Sequence, residues 1–354
     1  MMRFTYQGLP SRVVFGKGSL QQLPQEMDAL GARRALVLST PEQRASAEQV
    51  AALLGSRAAG IFDRAVMHVP IETAREAREV ARQLHADCAV AIGGGSTTGL
   101  GKAIALDSGL PIVAIPTTYA GSEMTPIYGI TEAGLKKTGK DLRVLPRTVI
   151  YDPQLSMGLP LDLSITSGIN ALAHAAEGLY AADANPVISL MAEEGIAALG
   201  RALPALTMNA GSEEARSDAL YGAWLCGMVL GAVGMALHHK LCHTLGGSFN
   251  LPHAPTHTVV LPHALAYNAQ AAPGAMLRIQ KALGASGQSA AQAVFDLAQR
   301  CGAPTSLRSL GLTEPDLDRA CALAMSNQYP NPRPLEAVAL RQLLQNAFEG
   351  RRPD

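Results

Sequence analysis

The chain of 354 residues has no excess of charge of either sign, with 29 Lys and Arg against 29 Asp and Glu. Without a basic surplus no long-range field gathers nucleic acid or an anionic membrane surface, so the expected partner is a small molecule. Cysteine is scarce: Cys88, Cys226, Cys242, Cys301 and Cys321 are odd in number and include no CxxC. Neither a disulfide framework nor a thiolate zinc site is indicated, and reduced thiols in a cytoplasmic protein are the expectation. The opening stretch MMRFTYQGLPSR lacks the apolar core of a secretory signal. No internal repeat, low-complexity tract or long flexible linker occurs.

Three catalytic motifs are missing by a residue or two. A Walker A loop ending at Gly101-Lys102 needs Gly at 96 and Ser or Thr at 103, where Ser96 and Ala103 stand. A GxGxxG opening at Gly93 meets Thr98 in place of its third glycine. A nucleophile elbow fails at Thr98 and again at Asn250. One uncharged stretch, Ala219 to Leu237, approaches the length of a membrane span and carries a GxxxG at Gly227 and Gly231. Because the same pattern runs on into His238, His239, Lys240 and His243, a helix buried in protein is expected, its glycines allowing close packing.

What is present divides at about residue 155. Residues 1–155 alternate apolar runs with helical patterns, as an α/β layer with a mostly parallel sheet requires. The predicted strands are Arg12 to Phe15, Ala35 to Ser39, Gly60 to Phe62, Cys88 to Ile92, Ile112 to Ile115 and Thr148 to Tyr151. Ala77, Val80, Ala81 and Leu84 recur at helical spacing between two of them. Residues 156–354 read as all-α, punctuated by Asn185-Pro186, Pro204, Gly211-Ser212, Pro262, Pro273, Gly302 to Pro304 and Pro330 to Pro334. The short boundary suggests two halves clasping a cleft.

The strand Ala89–Ile92 runs straight into Gly93-Gly-Gly-Ser-Thr-Thr-Gly-Leu-Gly-Lys102 and then a helix. Glycines let a diphosphate approach backbone N–H groups, and a helix N-terminus adds favourable partial charge, so a phosphate-bearing ligand is expected; a ligand-free tight turn is the plainer alternative. In the second half, His239 and His243 lie four apart on one helical face, and His253 follows beyond Gly246-Gly247. Asn170 and His174 form a similarly spaced pair. Such a group suits either a metal or proton chemistry. His238, His257 and His263, lacking a motif role, read as ordinary structural histidines.

The ordered set GGGSTTGLGKA, IPTTYAGSEMT, GINALAHAAEGLY, HHKLCHTLGGSFNLPHA and NPRP at 331–334 resembles the iron-containing (type III) alcohol dehydrogenase superfamily over nearly the whole chain. The tyrosine of the second segment, the asparagine of the third and the His-His-Lys-Leu-Cys-His run resemble its maleylacetate-reducing branch, which serves aromatic-ring degradation. The resemblance implies a Rossmann-like dinucleotide domain, an all-helical catalytic domain as in dehydroquinate synthase, and a nicotinamide cofactor. By position, Gly93, Gly94, Gly95 and Ser96 would hold the pyrophosphate, and Thr117, Thr118, Tyr119 and Ser122 would line the adenosine and ribose side. Lys140 is a further cofactor candidate. Ser39-Thr40 stands where many relatives carry a ribose-binding aspartate, so NADPH should be accepted beside NADH.

Metal-dependent relatives bind iron or zinc through an aspartate and three histidines, which map onto Asn170, His174, His239 and His253. With an amide for the carboxylate, a site that works without metal is expected. His243 or His253 would then polarise the substrate ketone, with His239 and His174 shaping the pocket. Lys240 and Arg333 are candidates for the carboxylates of a dicarboxylate substrate. A homodimer is expected. The alternatives are a metal-dependent alcohol or polyol dehydrogenase and a lyase like dehydroquinate synthase.

Overall fold

Strand and helix alternate in the first half because short unbroken apolar runs there alternate with segments whose apolar residues recur at a period of 3.6. The computed structural model describes residues 4–133, 135–326 and 328–354. Two compact units emerge: Gly8–Leu159, and Pro160–Asp354 together with the N-terminal residues up to Gln7. The divide thus falls at Leu159/Pro160, a few residues beyond the expected one.

In the first unit, β1 (Arg12–Phe15), α1 (Leu23–Ala29), β2 (Ala35–Leu38), α2 (Arg44–Leu54), β3 (Ala58–Phe62), α3 (Ile71–Gln83), β4 (Cys88–Gly93), α4 (Gly95–Ser108) and β5 (Ile112–Pro116) follow in turn. The hairpin β6 (Ile127–Glu132) and β7 (Leu135–Lys140) precedes β8 (Thr148–Tyr151). Six strands form one parallel sheet in the order β1-β8-β5-β4-β2-β3. Alternate residues serve its two faces. Leu36, Leu38, Ala89 and Ala91 pack on Ala77, Ala81, Leu100 and Ile104, while Val37, Val90, Ile92 and Ile115 pack on Leu23, Met27, Val50 and Leu54. Burial on both faces is why these strands read as unbroken apolar runs.

The order contains a switch point. β2 pairs with β3 on one side and β4 on the other, so the chain reverses direction across the sheet there. Ligands of open α/β sheets sit beyond the carboxyl ends of strands at such a point. Ser39, Gly93 and Thr117 lie at or just past the ends of β2, β4 and β5. The β6–β7 hairpin was not among the predicted strands: β6 mixes Ile127, Tyr128 and Ile130 with Gly129, Thr131 and Glu132, and β7 is LKKTGK, so no unbroken apolar run marks it.

The second unit is helical: α5 (Leu161–Gly178), α6 (Pro186–Met208), α7 (Glu213–Ala232), α8 (Leu237–Phe249), α9 (His253–Asn268), α10 (Pro273–Ala282), α11 (Ala290–Arg300), α12 (Asp316–Met325) and α13 (Ala337–Glu349). Pro186 and Pro273 open helices, as expected, whereas Pro204 and Pro262 lie inside α6 and α9 and interrupt neither. Proline removes one backbone bond, and tertiary packing outweighs that loss here. Close packing of α6 on α7 depends on glycine: a Cβ on Gly222 would meet Leu199 at 2.8 Å and the Gly195 carbonyl at 3.0 Å.

The uncharged stretch is not one continuous helix. It breaks between Ala232 and Leu237, where α7 and α8 meet at 95°, and among the described residues no single helix is long and apolar enough to cross a membrane.

Candidate active site

Gly93 closes β4 with φ +146°, where a Cβ would fall 2.5 Å from Gln43 Oε1 and 2.6 Å from Thr97 Oγ1. Gly94 precedes the first turn of α4 and offers no capping side chain, so the opening N–H groups of that helix are left without a side-chain cap, as an anion site requires. Gly94 lies against Thr118, whose Oγ1 would be 3.0 Å from an added Cβ, and the Thr117 N–H donates to the Gly93 carbonyl at 3.0 Å. Gln43 Nε2 donates to Thr117 Oγ1 at 2.7 Å. The two stretches singled out in the sequence, Gly93–Ser96 and Thr117–Ser122, are therefore one surface.

Ser39 is buried there, and its hydroxyl, with those of Thr97 and Ser122, has no protein partner among the described residues. Buried unpaired hydroxyls beside an uncapped helix start fit a dinucleotide's phosphate and ribose oxygens. Thr40 heads the short turn that carries Gln43, Tyr119 is fully buried, and Lys140 sits exposed at the end of the β6–β7 hairpin.

Lys102, significant in the sequence only as a failed Walker lysine, staples this surface from below. Its Nζ reaches the carbonyls of Ser122, Thr125 and Ile127 at 2.6, 2.8 and 2.7 Å, and Thr125 Oγ1 at 3.0 Å. Burial pulls its pKa down to about 7, opposed by the nearby Glu123. Gly93→Ala is expected to weaken NADH binding at least tenfold, because a non-glycine residue costs about 1–2 kcal/mol in a left-handed conformation before Gln43 and Thr97 must move. Fluorescence titration with NADH measures it, and unaltered affinity would contradict the placement.

In the helical unit, Asn170, His174 and Glu177 follow at i, i+4 and i+7 along α5 and are all buried. The His174 ring lies 5.1 Å from that of His239 on α8, and the His239 ring 6.0 Å from that of His243. The ring of His253, the exposed first residue of α9, lies 4.4 Å from that of His257 at a tilt of 55°, and the His257 ring is itself 5.0 Å from that of His239. The predicted histidines are thus gathered, and His238 and His257, read as ordinary structural residues, belong to the same cluster. His238 Nε2 and His257 Nδ1 share a hydrogen bond of 2.9 Å. His263 stands apart against Phe295, its pKa lowered to about 4 by burial.

Glu177 is the functional residue that sequence reasoning missed. Its carboxylate, 0% exposed, accepts from the backbone N–H groups of Ala236 at 2.8 Å and His238 at 2.7 Å, and from His239 Nδ1 at 2.7 Å. These N–H groups open α8, which has no capping side chain of its own, so Glu177 caps that helix from α5. The bond to Nδ1 fixes the His239 tautomer and leaves Nε2 turned to the cluster.

Asn170 Oδ1, His174 Nδ1, His239 Nε2 and His257 Nε2 are buried without a hydrogen-bond partner among the described residues. Four unsatisfied polar atoms in one cluster mark a ligand site. Burial holds His174, His238 and His257 well below the usual imidazole range, so these three are uncharged at neutral pH. His243 is exposed, and its Nδ1 lies 3.0 Å from the Tyr329 hydroxyl. Lys240 Nζ is 5.8 Å from the Tyr329 ring. Arg333 stacks at 4.2 Å on Tyr267 and pairs with Glu336 at 3.8 Å.

Two family models match the chain: iron-containing alcohol dehydrogenase over residues 10–153 and the C-terminal part of the Fe-containing alcohol dehydrogenase family over 164–348. The chain belongs to the iron-containing alcohol dehydrogenase family. Within that family it is 66% identical to a maleylacetate reductase of Burkholderia cepacia, over 100% of both chains. The crystal structure of a maleylacetate reductase from Agrobacterium tumefaciens superposes with a TM-score of 0.96 at 54% identity over both full chains. That of a putative alcohol dehydrogenase from Ralstonia eutropha JMP134 gives a TM-score of 0.99 at 66% identity, again over both full chains.

Proposed function

We propose that this chain reduces the conjugated carbon–carbon double bond of maleylacetate and its substituted forms, giving 3-oxoadipate in the degradation of aromatic compounds, with NADH or NADPH as hydride donor. One observation carries the reading: a cluster of imidazoles with an amide, Asn170, beside them, in a chain alike over its full length to maleylacetate reductases. Hydride arriving at the alkene carbon β to the ketone breaks the C=C π bond. Its electrons pass to the ketone oxygen as an enolate, and the α-carbon then takes a proton. The nicotinamide cofactor supplies the hydride, and the chain supplies the rest.

Gly93–Ser96 and the start of α4 hold the diphosphate. Ser39 and Thr40 place no carboxylate against a 2′-phosphate, which supports use of either dinucleotide. Since burial keeps His174, His238 and His257 neutral, the enolate must be met and protonated by a ring that exchanges protons with water. His243, steadied by Tyr329, and His253 are the exposed rings of the cluster. His239 and His174 shape the pocket, and Lys240, next to Tyr329, suits one substrate carboxylate. Arg333 is the remaining candidate for the other. The same reading takes the enzyme as a cytoplasmic homodimer.

The family name implies iron, but the donor set is a poor match for it. Asn170, His174, His239 and His253 supply no negative charge, and Glu177 is already engaged by two helix N–H groups and the His239 ring. No step here runs through a metal. Asn170→Asp should restore the missing anion and raise affinity for Fe2+ or Zn2+ by at least tenfold in calorimetric titration; equal affinities would show that the amide is not what weakens the site. The function itself is tested by following NADH oxidation with maleylacetate against short-chain aldehydes. Only maleylacetate should be turned over rapidly, to 3-oxoadipate; a preference for aldehydes would favour an alcohol dehydrogenase.

A further inference from the structure

His238 and Cys242 lie four apart on α8 and so share a face, and His257 on α9 closes a triangle with them. Their ligand atoms all fall within 4.8 Å of one another, and the three residues are buried. The His238 Nε2 to His257 Nδ1 distance is 2.9 Å, and Cys242 Sγ lies 3.7 Å from His238 Nε2. A tetrahedral zinc with Zn–N near 2.0–2.1 Å and Zn–S near 2.3 Å needs roughly 3.4 Å between nitrogens and roughly 3.6 Å from nitrogen to sulfur. The sulfur already stands at about that distance from His238 Nε2, and within 4.8 Å of the His257 ligand atom. The two imidazoles, now sharing a proton, need open by only about half an ångström for an ion to replace it.

We infer that His238, Cys242 and His257 form a buried site for a thiophilic divalent cation, Zn2+ in particular, with a ligand set different from His174, His239 and His253, which it adjoins through the second ring nitrogen of His257. The thiolate supplies the anionic ligand that the latter group lacks, and a His2Cys set selects zinc or cobalt over magnesium, manganese or calcium. Scattered cysteines without a CxxC gave no sign of such a site. The sulfur comes from one helix turn and the second imidazole from the next helix, so only the fold assembles it. The site is no part of the proposed reduction, whose chemistry uses other rings.

Cobalt is the probe. Chelator-treated full-length protein titrated with Co2+ should develop a near-ultraviolet thiolate-to-cobalt charge-transfer band that saturates at one equivalent and is displaced by Zn2+. Cys242→Ser should abolish the band. His174→Ala should keep it, because that residue belongs to the other group. Absence of the band in the unaltered protein, its survival in Cys242→Ser or its loss in His174→Ala would each overturn the assignment. Zinc-edge X-ray absorption of the unaltered protein carrying one equivalent of Zn2+ needs no variant to fold. One sulfur scatterer with two imidazoles supports the site, and nitrogen and oxygen scatterers alone refute it.

Discussion

His243→Ala is expected to lower kcat by about two to four orders of magnitude, the usual worth of a positioned acid or base, while the Kd for NADH stays within about twofold. The split follows from location. The proposed dinucleotide site is Gly93–Ser96 and the start of α4, whereas His243 belongs to α8 in the helical unit. Burial has removed the competing rings His174, His238 and His257 from proton donation near neutrality. Tyr329→Phe should give a smaller loss, about tenfold, because the 3.0 Å bond to His243 Nδ1 orients the ring without being the donor to substrate. Stopped-flow reduction with saturating NADH reads both. Unchanged turnover in His243→Ala would hand the proton to His253.

The second large effect is on stability. Glu177→Ala removes the acceptor for two N–H groups at the start of α8 and for the His239 ring, all in a fully buried place. Removing one partner of a buried, hydrogen-bonded charged set leaves the others unpaired and costs about 3–5 kcal/mol, so a loss of that order is expected. Turnover should fall with it, since His239 loses its fixed tautomer and α8 its fixed start. Glu177→Gln keeps a carbonyl oxygen toward the backbone and should fall between the two. Urea unfolding midpoints measure the first effect and kcat the second; a Glu177→Ala protein within about 1 kcal/mol of the parent would show that α8 does not depend on this carboxylate.

Much of the fold was legible because its signals are local. The six strands of the sheet carry their own apolar runs, and Gly93–Lys102 announces a strand, a turn and a helix by its glycines alone. What stayed hidden depends on partners distant in sequence. The end of α7 has a local mark in Gly234, whose N–H donates to Asp183 at 2.9 Å, but the start of α8 rests on Glu177, 59 residues before Ala236. The β6–β7 hairpin is held by antiparallel pairing of the mixed strand IYGITE with the largely polar LKKTGK, which leaves no unbroken apolar run to read. Pro204 and Pro262 mislead for the opposite reason: a strong local signal is overridden by helix packing.

The site divides the same way. His239 and His243, and Asn170 and His174, could be grouped by helical spacing within one segment. His257 could not, because its place in the cluster comes from α9 packing beside α8, as does its bond to His238. Lys102 likewise looked like part of a failed phosphate motif until its four acceptors, all between Ser122 and Ile127, were in view.

The central claim is that imidazoles, without a metal, activate the double bond toward hydride. It is tested most directly by the turnover of maleylacetate with NADH by protein stripped of metal by chelation and verified metal-free by elemental analysis. The account predicts the same kcat as before stripping, unmoved by added Fe2+. Activity that disappears on stripping and returns with iron would contradict it.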